Sequence, residues 1–545
     1  MNQNESSFTL LDKELGRFFV QYTPLIGEER NHFDETVKYL SRRLTEGDSC
    51  IFLDKKTQAV MRASGLVSEG DRTPLILENE RLYLHRYWHY ETRLAYQLKA
   101  LLEEQYQFEN IETVIDRYFP SVNGSDPNAQ KQAARTAVNR RFCIITGGPG
   151  TGKTTAIVKI VALLQEVLEK PLHIAFAAPT GKAAMRLQES IAHGTSNLFC
   201  SDNLPNGFSG PVTTIHRLLG ARPPSPYFFH HVDNPLPHDL VVIDEASMVD
   251  LALMGKLVDA LRCNSRLILL GDRNQLASVE SGSVLADLTE ALRSHTVTLR
   301  KSYRFDANIK ALADTVNNQQ SRKAWDILQS DKLSSNIAVL RDDPIDYIVN
   351  RQMAYLRLIE SSADFSEIIQ AFNSFQVLAT NRQGKNGVED LNRKIEKRFF
   401  EQNLISRSGS WYPGRPVMVT QNDPNLNLYN GDVGICMFDR EQSDRLMIFF
   451  QRPDGSLKKI LPTRLPYCET VFAMTIHKSQ GSEFDEVLIV MPERMNPLLT
   501  KELLYTAITR AKKTAKLVTT QSIFTAAVRQ NVIRHSGLIE KLRFC

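Results

Sequence analysis

Short runs of consecutive apolar residues, each closing on a polar signature and separated by stretches with helical spacing, organise the chain from about residue 140 onward. They are RFCIITGG, IAFAAPT, LVVIDEAS and RLILLGD, followed after roughly Arg300 by FQVLAT, VFAMTIH and EVLIVMP. Runs apolar on both faces mark buried parallel strands, and their alternation with helices predicts α/β layers with ligands at the strands' carboxyl ends. The two groups predict two such domains, one over 121–300 and one over 301–406 that resumes at 466–545. Between Arg407 and Leu465 the pattern changes to Pro/Gly-punctuated short strands (GRPVMVT, NGDVGICMF, RLMIFFQ), which predicts a small inserted β-barrel. Residues 1–120 mix helical spacing, as in FDETVKYLSRRL, with strand-like IFLD and TPLILENERLYL, and hold no recognisable catalytic constellation. The stretch SVNGSDPNAQ reads as a linker into the motif-bearing part.

Composition narrows the class. A chain of 545 residues implies several domains, and 42% hydrophobic with 23% charged residues is that of a globular protein. A net charge of +4 is small for this length, so a polyanion must be met by a local groove; charge alone does not establish nucleic-acid binding. Seven cysteines without a CxxC pair argue against a zinc knuckle or a disulfide framework and read as reduced, cytosolic thiols. The amino terminus lacks a basic region followed by an apolar run, and no stretch is apolar for the length a bilayer requires. The expectation is a soluble, cytoplasmic protein with no membrane partner.

The chemistry starts at Gly147-Gly148-Pro149-Gly150-Thr151-Gly152-Lys153-Thr154-Thr155, which fits G-x-x-x-x-G-K-[ST] directly after the strand CIIT. Glycines let backbone N–H groups curl around phosphate, Lys153 reaches the β and γ oxygens, Thr154 offers its hydroxyl to Mg²⁺, and the helix that starts here adds its positive end. The run LVVI closes on Asp244 and Glu245. Asp244 is placed to hold the metal and Glu245 to orient and deprotonate the attacking water, whereas an acidic pair at this point can also simply cap the next helix. Past RLILLGD, the Gln275 amide is a candidate γ-phosphate contact. Arg304 in KSYRF and Arg510 in YTAITR are candidates for the cation that stabilises spreading negative charge in phosphoryl transfer, with a surface ion pair as the alternative for either.

Taken in order, GGPGTGKTT, APTGKAAMRL, TIHRLLG, VVIDEASMVD, LLGDRNQLASVESGSVLADL, SYRF, NGDVGI, TIHKSQGSEFDEV and LLYTAITRAK resemble the motifs of superfamily 1 helicases, and most closely the RecD family, the alpha subunits of bacterial exodeoxyribonuclease V. The resemblance spans about Gln130 to Val518; TPLILENERLYLHRYWHYE also resembles the amino-terminal domain of that family. It implies two RecA-like P-loop domains with an SH3-like barrel insert and a mostly helical amino-terminal domain. It further implies that Gln130 reads the adenine edge, that Glu483 lies near the nucleotide sugar, and that Arg304 and Arg510 are arginine fingers. Thr180, His216, Thr475 and His477 fall in motifs the family places along the DNA path, with a capping threonine or a core histidine as the plain alternative.

The implied function is an ATP- and Mg²⁺-dependent 5′ to 3′ DNA helicase of superfamily 1B. It acts on single strands and double-stranded ends within a heterotrimer with RecB-like and RecC-like chains, a partner carrying the nuclease site. Its polarity comes from the family alone. The rivals are a stand-alone RecD-like helicase and an ATP-dependent DNA-binding switch that does not translocate. Residues 1–120 are expected to be dispensable for the chemistry and to dock partners. There Leu82, Tyr83, Leu84, Tyr87 and Trp88 serve either as the core of a small domain or as anchors at a partner surface.

Overall fold

The computed structural model describes residues 8–70, 72–103, 106–120, 127–168, 171–197, 212–278, 280–301, 306–330, 336–406, 409–423, 425–440, 444–452 and 455–543. Near the amino terminus, β1 (Ile51–Phe52), β2 (Val67–Ser68), β3 (Leu75–Glu78) and β4 (Arg81–Leu84) form a sheet in the order β1-β4-β3-β2. β3 and β4 make a hairpin whose turn residues, Asn79 and Glu80, both sit at positive φ (47° and 66°), the backbone twist that a two-residue hairpin turn needs. Helices Leu10–Val20, Gly27–Thr45 and Lys55–Ala63 bury Phe19, Phe33, Val37 and Leu40 against this sheet. Leu82 and Tyr83 are fully buried, and Trp88 is partly buried with its Nε1 donating to Glu78 at 3.2 Å. That aromatic cluster is therefore core. Exposed apolar side chains of this unit include Leu10, Leu11, Phe18, Tyr22 and Ile26.

The next sheet has six strands: β5 (Phe142–Gly147), β6 (Ile174–Ala178), β7 (Thr213–Thr214), β8 (Leu240–Ile243), β9 (Arg266–Gly271) and β10 (Thr296–Leu299). Their order is β10-β5-β9-β8-β6-β7, with every neighbouring pair parallel. Every residue of β5, β8 and β9 is buried, which is why each reads as an unbroken apolar run.

A second parallel sheet takes in β11 (Ile337–Val339) and β12 (Phe375–Ala379). The chain then detours through β13 (Pro416–Val419), β14 (Val433–Asp439), β15 (Arg445–Gln451), β16 (Leu457–Ile460) and β17 (Cys468–Thr470), an antiparallel sheet in the order β16-β15-β14-β13-β17. Its closing strand β17 pairs with β13 beyond Leu465, so the antiparallel part extends past the stretch with the Pro/Gly-punctuated pattern. β18 (Ala473–Thr475), β19 (Phe484–Val490) and β20 (Ala511–Val518) return to the parallel sheet, ordered β11-β20-β19-β12-β18.

The carboxyl-terminal segment crosses back. After helix Gln521–Arg529 beside the second parallel sheet, the chain runs to the amino-terminal unit, where His535 O accepts from Ser49 N (3.0 Å) and Ser49 Oγ (3.1 Å) and His535 N donates to Asp48 Oδ1 (2.9 Å). Gly537 N donates to both oxygens of Glu91 at 3.2 Å; a Cβ at Gly537 would lie 2.1 Å from the Tyr83 hydroxyl, so only glycine fits. The last helix, Leu538–Arg543, packs on helices His85–Leu102 and Val284–Ala291. Glu91 is fully buried there, and burial pushes its carboxyl above the usual range. Among the described residues no helix is long and apolar enough to cross a membrane.

Asp287, beside this strap, is pushed up to about 7, first by burial and further by Glu91, Glu290 and Glu540, against a lowering hydrogen bond from Ser536. A carboxyl raised in the folded state stabilises the fold below its unfolded value, and that contribution is lost as pH rises through the folded value. Asp287→Asn, which mimics the neutral form, is expected to raise the melting temperature at pH 8 and to leave it unchanged below about pH 4. Equal effects at both pH values in thermal melts would contradict the assignment.

Candidate active site

Strand order decides which side chains meet. β9 lies between β5 and β8, so the loop after β9 sits between the glycine-rich turn after β5 and the acidic pair after β8. The turn is built for close approach. Gly150 and Gly152 take φ of +71° and +80°, and a Cβ at Gly148 would lie 2.9 Å from the Tyr505 hydroxyl. Lys153 opens helix Lys153–Val167 and donates its Nζ to Gly147 O (2.7 Å) and Gly148 O (3.1 Å), while Thr151 Oγ1 donates to Gly148 O at 2.8 Å. Thr154 follows half-buried and Thr155 exposed on the same first turn, and Pro149 is half-buried within the loop.

Two carboxylates face this turn. Asp244 ends β8 and accepts from Glu245 N at 2.8 Å; burial first, then the Glu245 carboxylate, push it up to about 6, against the opposing pull of Lys153. Glu245 sits at φ +50°, a left-handed turn that carries the chain from the strand into the short helix Ala246–Met248. That helix passes so close to the end of β9 that a Cβ at Gly271 would lie 3.2 Å from Ser247 N. Asp272, next along, is also raised by burial and lowered by Lys153; it accepts from the Gln275 amide at 3.4 Å and, across the cleft, from the Tyr505 hydroxyl at 2.9 Å.

The facing side comes from the second parallel sheet. Arg510 is almost fully buried between helix Lys501–Ile508 and β20; its Nε donates to Thr506 O and its Nη1 to Ser482 O, both at 3.1 Å, while Nη2 is buried with no hydrogen-bond partner among the described residues. Leu276, one residue past Gln275, is held from the same side by Thr506 Oγ1 (2.9 Å) and Gln480 Nε2 (3.0 Å). Buried carboxylates with raised pKa values, a glycine cradle and an unpartnered guanidinium nitrogen together suit a metal-bound polyphosphate, with Asp244 and Thr154 as the residues that would hold Mg²⁺.

The remaining expected residues lie further off. Gln130 is half-buried on helix Pro127–Asn139, which packs against Lys153–Val167. Glu483 stands half-buried just before β19, where its backbone oxygen accepts from Arg186 of the first sheet's side at 3.5 Å. Thr180 and His216 follow β6 and β7, on the far side of the first sheet from the glycine turn; Thr475 ends β18 and His477 follows it. Both threonines cap their own turns, Thr180 Oγ1 accepting from Ala183 N (3.2 Å) and Thr475 Oγ1 from Lys478 N (3.3 Å). His216 packs edge-on against Phe228 with centroids 5.8 Å apart. Burial lowers the pKa of His216 and of His477. Arg304 lies outside the described residues. Tyr505, Asp272, Thr506 and Gln480 were not expected at the cleft. Each stands inside a quoted motif, and only the folded pairing reveals its contact.

A P-loop turn, an acidic strand end and an arginine supplied by a second parallel sheet define a nucleotide-hydrolysing enzyme of the helicase type. Residues 130–281 match the AAA domain family and residues 470–518 match the UvrD-like helicase C-terminal domain. The chain is 38% identical over 495 residues to the RecBCD enzyme subunit RecD of Mycolicibacterium smegmatis, covering 89% of this chain and 86% of that protein, and 34% identical over 527 residues to that of Haemophilus influenzae, with 85% and 80% covered. It belongs to the RecD family of RecBCD enzyme subunits and is an ATP-dependent DNA helicase. The ATP-dependent RecD2 DNA helicase of Deinococcus radiodurans is 32% identical over 406 residues, covering 74% of this chain and 50% of that protein. A Bacteroides Pif1 helicase bound to single-stranded DNA superposes with a TM-score of 0.40 at 18% identity, over 70% of this chain and 90% of that one.

Lys153→Ala is expected to abolish ATP hydrolysis, because the ammonium that would neutralise the phosphates is lost. Arg510→Ala should lower turnover by on the order of a hundredfold with little change in nucleotide affinity, since it acts on charge that develops in the transition state. Steady-state kinetics beside a nucleotide-binding titration separates the two effects; weakened binding with normal turnover would make Arg510 a ground-state contact.

Proposed function

We propose that this chain couples Mg·ATP hydrolysis to 5′ to 3′ movement along single-stranded DNA, as the alpha subunit of a cytoplasmic RecBCD-like exodeoxyribonuclease V that processes double-stranded ends. The observation that carries the reading is the cleft itself. Tyr505 bonds Asp272 across it, and Arg510 presents a buried, unpartnered nitrogen from the opposite sheet. A polyphosphate held by the glycine turn would engage the free Arg510 nitrogen across the cleft, and its cleavage would remove that link, so the two RecA-like sheets alternate in their grip on the strand.

Within that reading, Lys153 and the backbone of Gly147 to Thr154 bind the phosphates, Glu245 takes the proton of the attacking water, and Gln275 contacts the γ-phosphate. Mg²⁺ held by Thr154 and Asp244 would neutralise charge on the β and γ oxygens. Arg304 and Arg510 act as arginine fingers, Gln130 reads adenine, and Glu483 lies near the sugar. Thr180, His216, Thr475 and His477 line the DNA path, and the antiparallel insert, as an SH3-like barrel, supports it. Asp432 and Tyr429 of that insert favour this placement: Tyr429 Cβ would lie 3.5 Å from a Cβ at Gly181, next to Thr180, and Asp432 is close enough to influence the half-buried Lys182.

Assembly with RecB-like and RecC-like chains is favoured over a stand-alone helicase by the longer match, 85–89% of this chain for the RecD relatives of M. smegmatis and H. influenzae against 74% for the RecD2 helicase. The exposed Leu10, Leu11, Phe18, Tyr22 and Ile26 of the amino-terminal unit supply an apolar docking face. Replacing Leu11 and Phe18 by Asp is expected to abolish co-purification with the two partner chains while DNA-stimulated ATPase activity persists. Normal assembly of that variant would move the interface elsewhere. Glu245→Gln should bind ATP and stall, and a 5′-tailed but not a 3′-tailed duplex should be unwound by the wild-type chain. ATP hydrolysis that does not grow with the length of single-stranded DNA would instead identify a switch without translocation.

A further inference from the structure

Arg534 lies on the returning carboxyl-terminal strap, where three parts of the molecule meet. Its Nη1 donates to Glu280 O (3.1 Å) and Gly282 O (3.0 Å), and its Nη2 to Ser278 O (2.7 Å). Those carbonyls belong to the loop that begins with Gln275 and Leu276. The same loop is held from the amino-terminal unit, with Ser281 Oγ donating to Leu44 O (3.0 Å) and Gly282 N to Gly47 O (2.9 Å). A Cβ at Gly47 would lie 2.6 Å from the Arg534 guanidinium carbon, so the guanidinium packs directly against the Gly47 backbone. At the loop's other end, Leu276 is gripped by Thr506 and Gln480 of the second parallel sheet. Arg534 also stands near His477, whose pKa it helps to lower.

A guanidinium is a planar fork that can bridge carbonyls several residues apart, which a lysine ammonium cannot do in the same geometry. Without it, three loop carbonyls lose a charged donor, and two of them, at Glu280 and Gly282, keep only the neutral Ser278 hydroxyl at 3.0 and 3.3 Å as a side-chain donor. We propose that Arg534 is a positioning residue for ATP hydrolysis: by clamping the loop at Ser278, Glu280 and Gly282, it sets the Gln275 side chain and ties it to the amino-terminal unit. The inference rests on the reading of Gln275 as a γ-phosphate contact. It makes the partner-docking unit a participant in turnover, because displacement of Leu44 and Gly47 would be felt through the same loop.

The test uses the full-length chain with single-stranded DNA and compares Arg534→Gln, Arg534→Lys, Gln275→Ala and the double variant Arg534→Gln/Gln275→Ala. Arg534→Gln is expected to lower kcat about tenfold with nucleotide affinity within about twofold of wild type, Arg534→Lys to fall between, and the double variant to be no slower than Gln275→Ala. Should Arg534→Gln fail to fold, Arg534→Lys with and without Gln275→Ala provides the same cycle. Wild-type turnover in the Arg534 variants, or losses that multiply in the double variant, overturns the proposal. Wild-type turnover in Gln275→Ala, beside a loss in Arg534→Gln, overturns the relay through Gln275 and with it the reading of Gln275.

Discussion

Asp272, buried, and Asp244, half-buried, stand at the ends of neighbouring parallel strands, with Lys153 as the cation that most lowers both. Such a pair is costly to keep ionised away from solvent, and the cost is offset by positive charge first and by hydrogen bonds to the carboxylates second. Everything else about the molecule follows that constraint: the glycines that let the Lys153 turn come close, the strand order that sets β9 between β5 and β8, and the second sheet that brings Arg510 and Tyr505 to the opposite wall. The site is thus incomplete in either sheet alone.

The same logic explains why the DNA-path candidates stand apart from the nucleotide. β6 and β7 continue the first sheet away from β5, so Thr180 and His216 occupy a separate stretch of its carboxyl edge, and the turn of the antiparallel insert at Tyr429 reaches that stretch. If Thr180 and His216 line the DNA path as proposed, a change at the nucleotide must be carried along the sheet to reach them, and the two polyanions would be held at separate places on one fold.

Much of this was legible in the sequence because the relevant strands are buried on both faces. CIITGG, LVVI and RLILLG announce β5, β8 and β9 as continuous apolar runs, and each is followed at once by its chemistry. β20, by contrast, reads AKKTAKLV; with one face only partly covered it alternates, and its lysines hide a central strand. The β3–β4 hairpin was visible as strand-like text, whereas the burial of Tyr83 depends on Gly537, far away in the chain. Tyr505 meeting Asp272 is of the same kind, a pairing across 233 positions that no local pattern encodes. Separability of residues 1–120 from the chemistry looked natural from motif positions alone. The strap alters that picture, since Ser49, Asp48 and Glu91 are bonded to residues 535–537 and Leu44 and Gly47 to the loop past Gln275.

The strap also has a mechanical meaning. The chain passes from the first parallel sheet to the second after β10, and it passes back after helix Gln521–Arg529 to end in Leu538–Arg543 against the first sheet's helices. Two bodies joined by two ribbons cannot drift apart or slide freely. Separation of the two sheets is thereby limited at both crossings, and a protease cut in one junction would still leave the halves tethered by the other.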